Sequence, residues 1–158
     1  MFMATSAHTV DVGALLSGSR RTLQIEDCVP IETFEGWSFP EPARVALEVR
    51  GVDRCLEIVG TIDVEARGDC DRCLEGVHEP MHLAVEERLE SHSAFQDDPF
   101  GESNVLSGDR LDVADLTRQL VFSAAPFTVL CDERCEGLCD RCGQNKLSGA
   151  CDCAGSTE

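Results

Sequence analysis

Basic residues are scarce in this chain of 158 residues, which has 13 lysines and arginines against 30 acidic residues and a formal net charge of −17. Lys146 is its single lysine. Proteins that hold nucleic acids by their phosphates need basic side chains to displace the condensed counterions. The composition therefore argues against unaided binding of RNA or DNA, and the same charge disfavours anionic membrane surfaces.

Long apolar runs are also missing. No stretch approaches the roughly 18–20 apolar residues that a membrane span requires. Residues 1–10 have neither the basic start nor the apolar stretch of about 7–15 residues that a secretory signal has. We therefore expect no membrane association and a cytoplasmic location, or an organelle stroma or matrix if a presequence has been removed. In such reducing compartments, paired cysteines bind metals or do redox work more often than they form disulfides.

Catalytic motifs are absent as well: the chain has no P-loop, no G-x-S-x-G and no dinucleotide fingerprint. His78 and His82 match the H-E-x-x-H string of zinc metalloproteases, which requires a helix. Pro80 lies between them, and the flanking residues alternate as in a strand, where positions i and i+4 are about 13 Å apart. We predict that both histidines face solvent on a strand and that the protein is not an enzyme.

Cysteine, by contrast, is abundant, and six of the ten cysteines fall within Cys131–Cys153. Zinc in structural sites takes four ligands in a tetrahedron, and a C-x2-C turn presents two thiolates to one ion. The short loops of the C-terminal part make closure around one ion inexpensive in chain entropy. We predict a first, structural zinc site formed by Cys139, Cys142, Cys151 and Cys153.

A second zinc site is predicted from the remaining paired cysteines, namely Cys70, Cys73, Cys131 and Cys135. Alternatives stay open: the thiols of the C-terminal cluster are free or disulfide-bonded, and Cys70 and Cys73 form an unoccupied dithiol. Arg72, between those two cysteines, also allows a thiol–disulfide redox or redox-sensing protein, although no helix N-terminus activates the pair. Cys28 and Cys55 stand alone in strand-like surroundings and are predicted to be buried small apolar residues.

The hydrophobic pattern predicts an α+β fold. Apolar residues alternate over three stretches, Val45–Val49, Leu56–Val64 and Val77–Glu87, which indicates three antiparallel strands. The turn-rich Gly68–Gly76 between the last two places the first C-x2-C pair at a β-hairpin tip. Residues 22–39 are interpreted as one or two irregular strands.

One packed helix is predicted over Leu111–Ala125, with Asp112 as its N-cap and Pro126 at its end. We interpret residues 1–158 as a single domain and predict that residues 1–9 are disordered. Residues 91–109 are predicted to be an acidic flexible loop, and residues 131–153 the zinc-binding tail.

Three stretches resemble the YceD family, the large ribosomal RNA subunit accumulation proteins. Cys70–Leu74 is similar to the family's C-x-R-C-L between two strands, and Leu111–Pro126 to its amphipathic helix that ends at a proline. Cys135–Asn145, followed by Cys151-Asp152-Cys153, is similar to its C-x-G-L-C-x-x-C-G-x-N and C-x-C. The chain departs from many members in having Lys146-Leu147 after the matched asparagine.

The resemblance implies a cytoplasmic, non-enzymatic factor for the synthesis, processing or stability of large-subunit (23S) ribosomal RNA. Since the acidic composition disfavours direct RNA binding, we expect action through a protein partner, such as a basic ribosomal protein or an rRNA-processing enzyme. Two other classes remain: the redox protein, and a zinc-stabilised protein-interaction adaptor unconnected with ribosomes.

Overall fold

The computed structural model describes residues 8–90 and 105–147, together with Cys151 and Cys153. Its strands and helices, in chain order, are β1 (Thr9–Asp11), α1 (Gly13–Leu16), β2 (Thr22–Val29), β3 (Ala43–Val52), β4 (Cys55–Asp69), β5 (Gly76–Glu90), β6 (Leu106–Ser107), β7 (Arg110–Asp112) and α2 (Val113–Ala124). The predicted α+β class is confirmed in its coarse form, since two antiparallel sheets accompany few helices.

The chain divides into two compact units. The first, called the sheet unit, comprises Met1–Ile31, Glu41–Val64 and Met81–Ala125. The second, called the cysteine unit, comprises Glu32–Pro40, Glu65–Pro80 and Pro126–Glu158. The interpretation of residues 1–158 as one domain stays a prediction.

A four-stranded sheet in the order β2-β3-β4-β5 forms most of the sheet unit. β2 runs antiparallel to β3 with Val29 opposite Ala43, and β3 runs antiparallel to β4 with Val45 opposite Ile62. Along β3 every second residue is buried, beginning with Ala43. The three strands predicted from alternating apolar residues are therefore present, and β2 adds a fourth, regular one.

Helix α2 lies in the sheet unit and buries its apolar side by packing against β1 and β2. Its N-cap is Asp112, whose side chain accepts a hydrogen bond of 2.9 Å from the backbone N–H of Asp115. Val113, Leu116 and Val121 are buried along it. The predicted helix is confirmed, with Leu111 assigned instead to β7, which pairs with β1 and β6 in a small sheet that the sequence did not reveal.

In the cysteine unit, Trp37 is the largest buried side chain, and it is only 2% exposed. Its indole Nε1 donates a hydrogen bond of 2.9 Å to the carbonyl of Pro126. Ser38 and Arg67 pair as an antiparallel bridge beside it. These contacts hold together three segments that are far apart in the sequence, and the cysteines lie on two of them.

The predicted disorder of residues 1–9 and the predicted flexible loop over residues 91–109 fall partly outside the described residues. Residues 1–7 and 91–104 are not described, whereas Thr9 begins β1 and Val105 is buried, only 1% exposed. Of the predicted tail, residues 148–150 and 152 also lie outside.

The prediction that Cys28 and Cys55 are buried is wrong, because Cys28 is exposed and Cys55 is half-buried. Cys28 lies on the opposite face of β2 from its buried neighbour Val29, and Cys55 on the opposite face of β4 from the buried Leu56. Strand alternation turns both sulfurs away from the core.

No helix among the described residues combines the length and the hydrophobicity of a membrane span.

Candidate metal centre

Cys70 and Cys73 lie in the connection Cys70–Glu75, which follows β4 directly and leads into β5. The backbone N–H of Cys70 donates to the carbonyl of Glu75 at 2.8 Å, and the N–H of Leu74 donates to the carbonyl of Cys70 at 2.9 Å. These two bonds close a tight loop that turns both thiols inward, and Cys70 is 0% and Cys73 4% exposed. We call this loop the first knuckle.

The same loop recurs around Cys139 and Cys142. The N–H of Cys139 donates to the carbonyl of Gln144 at 2.8 Å, and the N–H of Gly143 donates to the carbonyl of Cys139 at 2.8 Å. Both bonds join residues at the same spacing as in the first knuckle. We call this loop, Cys139–Gln144, the second knuckle.

The two knuckles differ at two of their six positions, and one of these differences affects the backbone. The position after the second cysteine has positive φ in both: it is Gly143, at 72°, in the second knuckle and Leu74, at 64°, in the first. Glycine adopts this region freely, whereas a residue with a Cβ is strained there by about 1–2 kcal/mol. Leu74 is also 67% exposed, so packing within the described chain does not compensate for the strain.

Asp71 links the first knuckle to the segment that precedes Cys131. Its backbone N–H donates to the carbonyl of Val129 at 2.8 Å, and the N–H of Val129 donates to Asp71 Oδ2 at 2.9 Å. Arg72 adds a second link, since its Nη1 donates to the carbonyl of Cys135 at 2.7 Å. These bonds bring together cysteines about 60 positions apart, Cys73 and Cys131 being separated by 58.

Gly137 is required where the tail passes the first knuckle. A Cβ at this residue would lie 2.8 Å from the carbonyl oxygen of Arg72, and its φ is 84°. Both facts favour glycine, because no side chain fits between the two backbones.

Eight thiols meet in two groups as a result. Within each group the four sulfurs lie within 4.8 Å of one another. The buried quartet consists of Cys70, Cys73, Cys131 and Cys135, and the tail quartet consists of Cys139, Cys142, Cys151 and Cys153. Each group contains the four cysteines of one predicted zinc site, and the binding of metal by them stays a prediction.

The distances within the buried quartet fit a tetrahedral ion. Sγ of Cys70 lies 3.9 Å from Sγ of Cys135, and Sγ of Cys73 lies 3.5 Å from Sγ of Cys131. Four sulfurs about 2.3 Å from a central zinc would be about 3.8 Å from one another. The observed separations lie on either side of that value and well above the roughly 2.05 Å of a disulfide, so the donor set suits a soft divalent ion such as zinc.

Burial differs between the quartets. Three thiols of the buried quartet, those of Cys70, Cys73 and Cys135, form a small core against which Val77, Leu130 and Leu138 pack. The fourth cysteine, Cys131, is exposed. In the tail quartet, Cys139 is 8% exposed, Cys142 is exposed, and the last two cysteines are half-buried. Solvent therefore reaches the tail quartet more easily.

Each quartet holds one thiol of unusually low pKa. Burial raises the pKa of Cys70, but hydrogen bonds from backbone N–H groups, first among them that of Cys131, outweigh it and lower the pKa to about 6. The backbone N–H groups of Cys142 and Arg141 likewise lower the pKa of Cys139 to about 6. One thiolate per quartet is therefore formed at neutral pH.

Other thiols of each quartet keep their protons. Its hydrogen bond with Cys73 raises the pKa of Cys131 to about 12. In the tail quartet, the hydrogen bond with Cys142 raises the pKa of Cys153 to about 12. Close thiols resist a second negative charge unless a cation neutralises them, and a bound metal supplies that cation.

His78 and His82 lie exposed on β5, as predicted, and each faces a carboxylate. His78 Nε2 is 3.1 Å from Glu65, and His82 Nδ1 is 2.5 Å from Asp63. Across the described residues, the two quartets are the groups of three or more metal-ligating side chains that meet closely. The histidines form no such group.

Comparison with known proteins places these residues in a family. The family model "Large ribosomal RNA subunit accumulation protein YceD" matches residues 58–158, which contain all eight cysteines of the two quartets. Uncharacterized proteins of Mycobacterium bovis and Mycobacterium tuberculosis are 27% identical over 99 residues, 61% of this chain and 48% of theirs.

A plant relative is the "Large ribosomal RNA subunit accumulation protein YCED homolog 1, chloroplastic" of Arabidopsis thaliana, 25% identical over 140 residues, 71% of this chain and 44% of the homolog. The chain thus spans about half the length of the curated relatives it matches. No solved structure gives a significant match.

Proposed function

The chain belongs to the YceD family of large ribosomal RNA subunit accumulation proteins. We therefore propose that it is a non-enzymatic factor that large-subunit (23S) ribosomal RNA requires in order to accumulate. The observation that carries the proposal is the family match across the residues that build both quartets. The protein would act in the synthesis, processing or stability of that RNA, in the cytoplasm.

Zinc is the proposed cofactor, with one ion in each quartet. A site with four cysteine ligands has no open position for water or substrate, so the metal would be structural rather than catalytic. Its binding free energy would be folding free energy, because the sulfurs do not meet in the unfolded chain. This role agrees with a factor that works by presenting a surface.

The proposed partner is a protein of ribosome assembly or rRNA processing. With a net charge of −17, the chain would repel RNA phosphates unless a basic protein lay between them. Tight binding of purified large-subunit RNA at physiological salt, without any other protein, would contradict this part of the proposal.

Zinc analysis of the wild type beside Cys70→Ser and Cys142→Ser tests the metal sites. Two equivalents in the wild type, with one lost independently in each variant, are expected. Loss only in Cys142→Ser would leave the buried quartet without metal.

Deletion of the gene tests the role itself. We expect the large-subunit RNA to fall relative to the small-subunit RNA, and the wild-type gene to restore it. An unchanged ratio of the two RNAs in the deletion strain would overturn the proposal.

A thiol–disulfide redox protein is the second candidate, favoured by the lowered pKa of Cys70, about 6. Its burial, 0% exposed, works against it, since a reactive thiol must reach its substrate. A metal-free protein with a reversible Cys70–Cys73 disulfide would support this candidate. The deletion experiment distinguishes the third candidate, a zinc-stabilised adaptor unconnected with ribosomes, because loss of such an adaptor would leave the ratio of the two RNAs unchanged.

A further inference from the structure

Among the described residues, no contact explains why position 74 is a leucine. It adopts a φ of 64° and is 67% exposed. The equivalent residue of the second knuckle, Gly143, shows that glycine serves the same turn. A strained residue that gains little from burial points to a function outside the folded chain.

A second large apolar side chain lies on a segment joined to the first knuckle. Phe127 is 92% exposed. It comes two residues before Val129, whose backbone forms both hydrogen bonds with Asp71. Isolated apolar residues on a surface are ordinary, but here the two lie on segments that one pair of hydrogen bonds joins, and one of them is strained.

The surroundings of these side chains are acidic. Exposed carboxylates on the two joined segments are those of Asp69, Asp71, Glu75, Asp132, Glu133 and Glu136. Arg72 is already engaged with the carbonyl of Cys135, and the exposed Arg67 and Arg134 lie on the same segments, where the carboxylates outnumber the arginines. A zinc ion bound by four thiolates would carry a net charge of about −2, so the metal-loaded site leaves this surface negative.

We propose that Leu74 and Phe127 form a docking surface, called the tip surface, for a basic polypeptide segment that carries an apolar side chain. The apolar side chain would cover Leu74 and Phe127, while lysines or arginines would meet the carboxylates around them. RNA and a second copy of this chain are disfavoured because both are negatively charged. The identification of the segment as part of a basic large-subunit ribosomal protein rests on the proposed function.

The test compares three variants of the full-length, zinc-loaded protein. Leu74→Gly and Phe127→Ser remove the two side chains, and Val59→Thr, at a residue of β4 that is 38% exposed, is the matched control. The probes are individually purified basic proteins of the large subunit, naked large-subunit RNA, and the chain itself. Affinity is measured by calorimetry, and each variant is checked for zinc content and melting temperature.

We expect at least one basic protein to bind the wild type. Leu74→Gly and Phe127→Ser should each raise its Kd about tenfold or more, as the loss of one buried apolar side chain predicts. Val59→Thr should leave the Kd unchanged. Leu74→Gly should keep its zinc and melt no lower than the wild type, because glycine suits the positive φ.

Several results would overturn the tip surface: no binding of any basic protein, equal affinity in all variants, or a markedly lower melting temperature in Leu74→Gly, which would make the leucine structural. Binding of RNA or self-association that depends on Leu74 would also contradict the basic occupant.

Complementation of the deletion strain separates the two proposals. If Leu74→Gly restores the RNA ratio and binds as the wild type does, the tip surface fails and the proposed function stands. If deletion leaves the ratio unchanged, the proposed function fails, and the affinities still decide whether the tip surface binds basic polypeptides.

Discussion

The two quartets share a knuckle but differ in what they hold together. The buried quartet joins cysteines 58 and 65 positions apart, Cys73 with Cys131 and Cys70 with Cys135. The tail quartet joins cysteines that all lie between Cys139 and Cys153. Because the entropy lost on closing a loop grows with its length, a metal in the buried quartet offsets the larger cost and fixes the more distant segments.

The difference teaches that similar local chemistry can have different structural consequences. In the buried quartet, hydrogen bonds from Asp71 and Arg72 already bring the segments together, and the thiols form part of a core. In the tail quartet, the contacts around the knuckle are local, such as the N–H of Lys146 donating to the carbonyl of Gly137 at 3.0 Å. The buried quartet would therefore stabilise the fold of the whole cysteine unit, and the tail quartet would stabilise only its C-terminal part.

The largest expected effect comes from Cys73→Ser. Structural zinc sites bind with apparent free energies of about 10–16 kcal/mol at neutral pH in small peptides, so loss of this ligand should unfold much of the cysteine unit. Hydrogen exchange should show lost protection at the backbone amides of Asp71 and Val129. Cys142→Ser is the matched control and should expose only residues near the second knuckle. Equal loss of protection in both variants would contradict the claim that the buried quartet stabilises more of the cysteine unit than the tail quartet does.

The fold was predictable wherever one local pattern determined it. Strands β3 to β5 follow from alternation, and α2 from its spacing and its cap. Residues 22–39 were interpreted as irregular strands because Pro30, Gly36 and Pro40 interrupt their apolar patches. The structure places all three after β2, which is regular over Thr22–Val29. β1, β6 and β7 have two or three residues each, too few to show a period, and Thr9 pairs with the distant Asp112.

The candidate site was predictable in its composition but not in its assembly. Spacing alone groups the cysteines of the tail quartet, since short loops bring them together. The buried quartet depends on the link between Asp71 and Val129, and no local pattern reveals a hydrogen bond across that distance. Leu74 was noted only as part of a motif, because its φ and exposure are properties of the folded chain.

Metal affinity should depend on pH to the same degree in both quartets. Burial raises the pKa of Cys135, and Cys131 has a pKa of about 12, so both hold protons at pH 7–8.5 in the metal-free protein. A metal must displace at least these two protons, so affinity should rise at least about a hundredfold per pH unit.

The tail quartet also contains two thiols of raised pKa, Cys151 and Cys153. Its metal affinity should therefore rise with pH as steeply as that of the buried quartet. Cys70 and Cys139, whose pKa is about 6, are already thiolates in this range and add little. Competition with a chromophoric chelator of known pH dependence, measured on Cys70→Ser and Cys142→Ser, gives each slope separately. An affinity that is independent of pH would contradict the pKa values.

Chelation should distinguish the quartets by rate. Each quartet has one exposed cysteine, Cys142 or Cys131, but the other three thiols of the buried quartet are buried, whereas two further thiols of the tail quartet are half-buried. A chelator should therefore reach the tail quartet more readily, while the buried quartet must open further. We expect two phases of zinc release from the wild type, differing roughly tenfold or more, since local opening is slower where burial is greater. Cys142→Ser should lack the fast phase. A single phase, or a fast phase that persists in this variant, would show that burial does not control release.

The smallest effect should come from exchanging the residues that distinguish the knuckles. Leu74→Gly relieves the strain at a φ of 64° but adds freedom to the unfolded chain, so the free energy of unfolding should stay unchanged or rise by up to about 1 kcal/mol. Gly143→Leu should lower it by about 1 kcal/mol for the opposite reason, a fall of several degrees in Tm for a unit of this size. The double exchange should melt close to the wild type when zinc is saturating. If Leu74→Gly alone lowers Tm by as much as Gly143→Leu does, the leucine stabilises its own knuckle. If it does not, the stability of the knuckle does not require the leucine, as the tip surface predicts.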